Sequence, residues 1–403
     1  MCEDTLMKLF HKLLIAPATL GLLAPFSAVA NEINVNQISE YGISQKEFKK
    51  IGFNSNSFSP KLVKTSSEQD NKQFSGSNFE AGSFSETTTA SFGADFLIGG
   101  TDGDAATQLD PEAVTATYSF EIGLDTSFTG DDNLHVKIGS GNTDATNPLT
   151  STLDFGNGNA DALKVKDLNY TRSFGEKFTV QVGDSLDLSK QFAGACAYGG
   201  YTDILADCGT GNSAGAGGDV TVSTSYDLGN GFTFGAGLSG SDGETTKGLF
   251  TKESSDLYGV QLAYGADNYG AAVSYSNSDT STTDTTYWGL NAYYSFNTLI
   301  DSISVGMETA NPTSGSDSQS FFVGLTTAPV GSGTISLGMG TADDINGTAL
   351  ITDGASETYL YEASYGWSIN DATTATVGGF IQERTAANGD DLTGISFSTS
   401  FAF

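Results

Sequence analysis

From Thr88 to Phe403, apolar and polar residues alternate with period two, and no other feature limits the possible folds of this chain as strongly. Ala90, Phe92, Ala94, Phe96 and Ile98 form one apolar row. Val114, Ala116, Tyr118, Phe120, Ile122 and Leu124 form the next, with Thr115, Thr117, Ser119, Glu121, Gly123 and Asp125 interleaved on the opposite face. A side-chain period of two belongs to strands with two unlike faces. No apolar run approaches the roughly 20 residues of a spanning helix, so a chain of this kind that enters a membrane does so as strands.

The pattern predicts sixteen strands: the two rows above and segments near 133–139, 161–173, 177–184, 219–228, 231–239, 256–265, 269–276, 286–296, 301–309, 319–327, 333–340, 357–368, 372–383 and 392–403. Short turns (Gly130-Asp131-Asp132, Gly175-Glu176, Gly229-Asn230, Ala266-Asp267-Asn268, and around Asn297, Gly331 and Asn370) alternate with longer gaps at 99–112, 140–160, 185–218, 240–255, 277–285, 310–318, 341–356 and 384–391. Short turns on one rim and long polar loops on the other describe an all-β transmembrane barrel of the outer-membrane type, with the short turns periplasmic. Closure is required, because an open sheet edge in lipid leaves backbone groups unsatisfied. A solenoid would show one fixed repeat period, and none is found. The last strand places Ile395, Phe397, Phe401 and Phe403 on one face, and its terminal Phe resembles the recognition signal of bacterial outer-membrane barrels.

Aromatic residues cluster at strand ends. Tyr258, Tyr275, Trp288 and Tyr359 lie next to long loops; Tyr264, Tyr269, Phe296, Trp367 and Phe403 lie next to short turns. Two belts at two membrane interfaces follow. A sugar-stacking track inside the pore is the rival reading, but most of these rings share parity with the aliphatic row.

Charge narrows the function. With 17 basic against 48 acidic residues and a net charge of -31, the chain is no nucleic-acid binder. Nine of the basic residues and 41 of the acidic ones lie from Glu80 onward, so the negative charge belongs to the barrel and its loops. Residues 1–30 read as an export signal: Lys8, His11 and Lys12 precede the apolar run Leu13 to Leu23, and Ala28-Val29-Ala30 supplies a small-x-small cleavage site, giving a mature start at Asn31 with Met7 as an initiator. Residues 31–87 carry six lysines and no sustained period, forming an N-terminal periplasmic segment ahead of a barrel at 88–403. Cys196 and Cys208 are then the remaining thiols of an exported chain, and a disulfide is the natural assignment. Free thiols or a metal pair are the alternatives, and no His lies nearby.

The stretches "TSFTGDDNLHVKIGSGN" (Thr126 to Asn142) and "LNYTRSFGEKFTVQVGD" (Leu168 to Asp184) resemble the cyanobacterial Som-type porins, related to the OprB carbohydrate-selective porin family. The resemblance implies a trimeric outer-membrane barrel that passes small hydrophilic solutes and inorganic ions, with sugar or iron uptake proposed for members. A barrel in that membrane is expected to meet outer-membrane lipid and lipopolysaccharide, which acidic loops could bridge through divalent ions. Such porins usually carry a surface-layer-homology domain that binds cell-wall polymers; residues 31–87 occupy its place and show no such domain. In sixteen-stranded porins the loop after the fifth strand narrows the lumen, which here is 185–218, with Asp203, Asp207 and the two cysteines. The bland reading is a surface loop stapled against proteases.

Parity assigns the lumen charges. With Leu134, Val136 and Ile138 outward, His135 and Lys137 face inward; with Leu163 and Val165 outward, Lys164 and Lys166 face inward, and a bulge near Asp167 is needed to keep Leu168 and Tyr170 outside. Together with Glu121 and Asp125 on the wall and Asp203 and Asp207 in the loop, these residues would set a transverse field that favours polar solutes. The bland alternative is that they only solvate the wall. No catalytic set is present, since His135 is the one histidine beyond the signal, and no acidic cluster has an ordered cation-ligand spacing, so neither enzyme activity, metal nor cofactor is expected. The expected function is passive diffusion through an outer-membrane channel. The alternatives are a structural protein tethering membrane to wall through residues 31–87, and a barrel lipase, against which the inward parity of His135 argues.

Overall fold

The computed structural model describes residues 88–103, 113–143, 147–156, 161–214, 220–243, 245–280, 283–296, 298–342, 351–352, 357–384 and 390–402. The expected export signal, the 31–87 segment and Phe403 lie outside the described residues. The strands are β1 (Thr88–Asp102), β2 (Val114–Thr126), β3 (Asp132–Gly141), β4 (Lys164–Phe174), β5 (Phe178–Asp184), β6 (Val220–Gly229), β7 (Phe232–Gly240), β8 (Asp256–Gly265), β9 (Tyr269–Asp279), β10 (Asp284–Ser295), β11 (Ile300–Pro312), β12 (Ser318–Thr327), β13 (Gly333–Thr341), the two-residue β14 (Ile351–Thr352), β15 (Tyr359–Asn370), β16 (Thr373–Gln382) and β17 (Leu392–Ala402). Among the described residues, two short helices sit in the connections, α1 (Pro148–Thr152) and α2 (Asp203–Ala206).

Every long strand pairs antiparallel with its sequence neighbours, and β17 returns to β1, placing Phe397 opposite Ile98 and Phe401 opposite Ala94. The sixteen expected strands therefore close into one barrel. β14 only extends the ladder at the start of β12, where Ile351 faces Gln319.

The barrel is inside out relative to a soluble sheet. Leu262, Val273, Leu290 and Met307 form one cross-strand row over β8 to β11, each 41–50% exposed. Their neighbours Gln261, Ser274, Asn291 and Glu308 are buried on the other face. Burying polar groups while exposing aliphatic ones is unfavourable in water and stable only when lipid covers the outer face.

Three connections are clearly shorter than the sequence period predicts. The gap expected at 99–112 shrinks to 103–113, that at 277–285 to 280–283, and that at 310–318 to 313–317. Asn277, Ser278 and Asp279 pair with Thr286, Thr285 and Asp284. These residues are polar on both faces, so the ladder continues past the point where the hydrophobic period stops.

The parity change near Asp167 is present as a bulge. Lys137 opposes Asp167 and Ile138 opposes Val165, leaving Lys166 as the extra residue, so Val165 and Leu168 both stay outside although three positions apart. Asp132, which the sequence places in a short turn, is a buried organiser of the β2–β3 turn: its carboxylate accepts from the Ser127 hydroxyl, the Phe128 and Thr129 amides and the Tyr170 hydroxyl at 2.8–3.0 Å.

Candidate channel constriction

The β5–β6 connection carries Leu186, Leu188, Phe192, Tyr198, Tyr201 and Leu205, side chains that a solvated loop has no use for. All six are buried, because the loop folds into the barrel and runs along its inner wall. On the way out, the Leu186 and Leu188 carbonyls accept from the Thr221 and Ser223 hydroxyls of β6 at 2.8 and 2.6 Å. The Ala197 amide then donates to Ser304 of β11 at 2.9 Å, and the Tyr201 hydroxyl meets the Gly378 carbonyl of β16 and the Ser396 hydroxyl of β17. After α2 the chain turns back: Asn291 of β10 donates to Thr210 at 3.2 Å and Ser276 of β9 to the Asn212 carbonyl at 2.9 Å. The Cys196–Cys208 disulfide joins the outgoing leg to the returning one.

The wall is cut away where the loop crosses. A Cβ at Gly378 would come within 2.5 Å of the Tyr201 ring, one at Gly338 within 2.5 Å of the Tyr198 hydroxyl, and one at Gly340 within 2.7 Å of Leu205. A second connection, β3–β4, also folds inward. Asn147 caps α1 by accepting from the Leu149 and Thr150 amides. Leu149, Leu153 and Phe155 then pack with Tyr198, Tyr201 and Leu205 against Leu97, Phe322, Leu360, Phe380 and Leu392 of the wall. This apolar core inside the barrel mouth covers the β12 to β1 side.

The β2–β4 wall holds the charged residues. His135 Nδ1 lies 2.8 Å from Asp125, which also accepts from Asn133, and Lys137 lies 3.3 Å from Glu121. Glu121, Asp125, His135 and Lys137 thus lie together on one face, Lys137 ion-paired to Glu121 and His135 hydrogen-bonded to Asp125. Lys164 is exposed at the start of β4, and Lys166, at the bulge, interacts with Asp154 of the β3–β4 loop.

The loop contributes the opposing charge. Asp203 and Asp207, on consecutive turns around α2, are half-buried and lie in electrostatic range of Asp154 and Asp187. Burial raises the Asp203 carboxyl to about 6, helped by Asp154 and Asp187. Burial also lifts Asp207 well above the usual carboxylate range, with Asp203, Asp187, Glu308 and Asp154 adding to it. Lys190, half-buried in the same loop, is pushed down by burial and by Lys137, and held up by Asp167 and Asp187.

Sequence reasoning missed Asp154, Asp187, Lys190 and the two wall carboxylates Glu308 and Glu362. It also missed a chain of amides in which Gln191 donates to Gln181 and Gln181 to Asn169, each at 2.8 Å, and Asn169 to Asp167 at 2.7 Å. The apolar residues within the loop and the inward glycines of β13 and β16 were the available signals for its path.

Rings occupy both ends of the barrel wall. Next to the short turns, Tyr264 lies 4.8 Å from Phe232 and 5.7 Å from Tyr269, Tyr294 4.7 Å from Phe296, and Trp367 5.4 Å from Tyr365. At the loop end, Tyr275 lies 4.9 Å from Trp288, Tyr359 lies 5.8 Å from Phe321, and Tyr258 is exposed on the outer face.

Residues 152–385 match the protein family described as Gram-negative porin. Among solved structures, a loop L8 deletion mutant of OmpT, an outer membrane protein of Vibrio cholerae, is similar with a TM-score of 0.54 and 11% identity, over 79% of this chain and 100% of that one. An anion-selective porin from Comamonas acidovorans follows at 0.53 and 16%, over 79% and 99%. An engineered Rh. blastica porin reaches 0.52 and 15%, over 78% and 100%. No curated protein matches the chain.

Proposed function

This chain belongs to the Gram-negative porin family and is an outer-membrane channel, and we propose that small hydrophilic solutes and inorganic ions diffuse through it passively, cations ahead of anions. The width is set by the β5–β6 loop, and the passage runs between that loop and the β2–β4 wall. The observation that carries this reading is the gathering of Asp154, Asp187, Asp203 and Asp207 by two inward loops, with Lys190 in the same loop as three of them and Lys137 and Lys166 on the β2–β4 wall. A negative, low-dielectric funnel concentrates cations, while these lysines keep the preference modest and orient water locally. Tyr198 and Tyr201 are spent on the loop's own core, which favours ions over stacked sugars as the main traffic.

The same reading includes export by residues 1–30, long loops outside, short turns in the periplasm, aromatic belts formed by Tyr258, Trp288, Tyr359, Tyr264 and Trp367, and a homotrimer in contact with lipopolysaccharide. The likeness to cyanobacterial Som-type porins supports the trimer. Reversal potentials in a salt gradient across a planar bilayer test the proposal: a positive ion preference that fades with salt is expected, and strong anion preference overturns it.

A further inference from the structure

Resting on the constriction reading, we propose that Glu362 of β15 is the residue that positions the constricting loop, through a carboxylate that no amide can replace, and that Glu308 of β11 is a second, replaceable anchor. Both are buried on the inner wall, at 5% and 1% exposure, and neither takes part in the ion pairs described above.

The two anchors are built differently. At Glu362, Oε1 accepts from the Tyr198 hydroxyl at 2.7 Å and the Tyr201 amide at 2.8 Å, while Oε2 accepts from the Thr202 amide at 2.7 Å and its hydroxyl at 2.5 Å. Each oxygen therefore receives one main-chain N–H. A Gln side chain, whichever way its amide is turned, sets an NH2 against a fixed N–H and leaves a buried donor without an acceptor.

At Glu308, Oε2 takes both main-chain donors, from Asn212 at 3.1 Å and Ser213 at 2.6 Å, and Oε1 takes only the Asn212 side-chain amide at 2.7 Å. A Gln there can keep its oxygen on the two amides. Asn212 need only turn its own amide over to accept from the new NH2. The far end of the loop thus depends on charge and shape at Glu362, and its return leg on shape alone at Glu308. Because α2, with Asp203 and Asp207, starts directly after Thr202, release at Glu362 moves the acidic groups that face the passage.

Single-channel recordings of the full oxidised chain, each variant first shown to be a folded, heat-modifiable barrel, test this. E362Q should raise open-channel current noise several-fold and shift the reversal potential toward zero, and E308Q should behave as the parent. A folded E362Q with parental noise and selectivity overturns the proposal, as does an E308Q that is disturbed as much as E362Q. Should E362Q yield no folded barrel, amide hydrogen exchange in the parent decides: the Tyr201 and Thr202 N–H groups, held by the two carboxylate oxygens, should exchange at least tenfold more slowly than the Gly199 and Gly200 N–H groups beside them, and equal exchange overturns the proposal. D203N/D207N separates the layers. If it shifts the reversal potential while E362Q does not, positioning by Glu362 fails and the constriction stands; if neither shifts it, the constriction reading fails.

Discussion

The Tyr198 hydroxyl donates to Glu362 at 2.7 Å across 164 residues of sequence, fixing the middle of the β5–β6 loop to the wall opposite its own root. That contact makes the loop a crossing structure rather than a surface flap. Its consequences for conduction can be measured.

Charge comes first. D203N/D207N should reduce cation preference, and K137Q/K166Q/K190Q should increase it, both read as reversal potentials at about 0.1 M salt, where screening acts over ~10 Å. No change from either variant would place these groups outside the conduction path.

Acidity should act through the same carboxylates. Asp203 titrates at about 6 in the folded pore, so it is anionic above that value and neutral below it. Cation preference should therefore fall as pH drops from 8 to 5, and the fall should be smaller in D203N. The linkage has the matching sign: a carboxyl raised above its unfolded value is ionised against a penalty, so its contribution to stability declines as pH rises from the usual carboxylate range through about 6. D203N should be at least as stable as the parent at pH 8 in a urea titration.

Reduction of Cys196–Cys208, or the C196S/C208S variant, should leave the barrel folded, because no strand pairing depends on it. It should increase open-channel noise and expose the loop to trypsin at Lys190. A closed loop of this size limits unfolded chain entropy by roughly 3 kcal/mol. Unchanged noise and protease resistance would show that the wall contacts alone suffice.

Cysteine labelling distinguishes three environments rather than two. Single cysteines at Val260, Leu290, Val323 and Val377 should resist a membrane-impermeant reagent in lipid vesicles, since these side chains lie on the outer apolar face. Those at Glu121 and Lys137 should react. One at Ser304, polar but covered by the loop, should react only in the E362Q background. Labelling of Ser304 in the parent as fast as Glu121 would remove the loop from the wall.

The outer face sets stability. L290R puts a charge in the apolar row and should cost about 2–4 kcal/mol if it lies near the bilayer midplane. E121R, on the water-filled side, should leave the urea midpoint nearly unchanged.

Strand number, facing and even the bulge at Lys166 were legible in the sequence, because each is local: a period of two states which side chains meet lipid, and a broken parity between Val165 and Leu168 demands one extra residue. The thiol pair was legible for a similar reason, as two cysteines in one loop of an exported chain. Tertiary structure decided the rest. The ladder of β9 and β10 continues through Asp279 and Asp284 where both faces are wet, so no period marks its end. Lys190 joins the lumen charges, and Glu308 and Glu362 become anchors, only when a loop meets strands 95 to 164 residues away in sequence. Their burial follows from that crossing, and a strand pattern, which separates water from lipid, cannot separate water from a loop that displaces it.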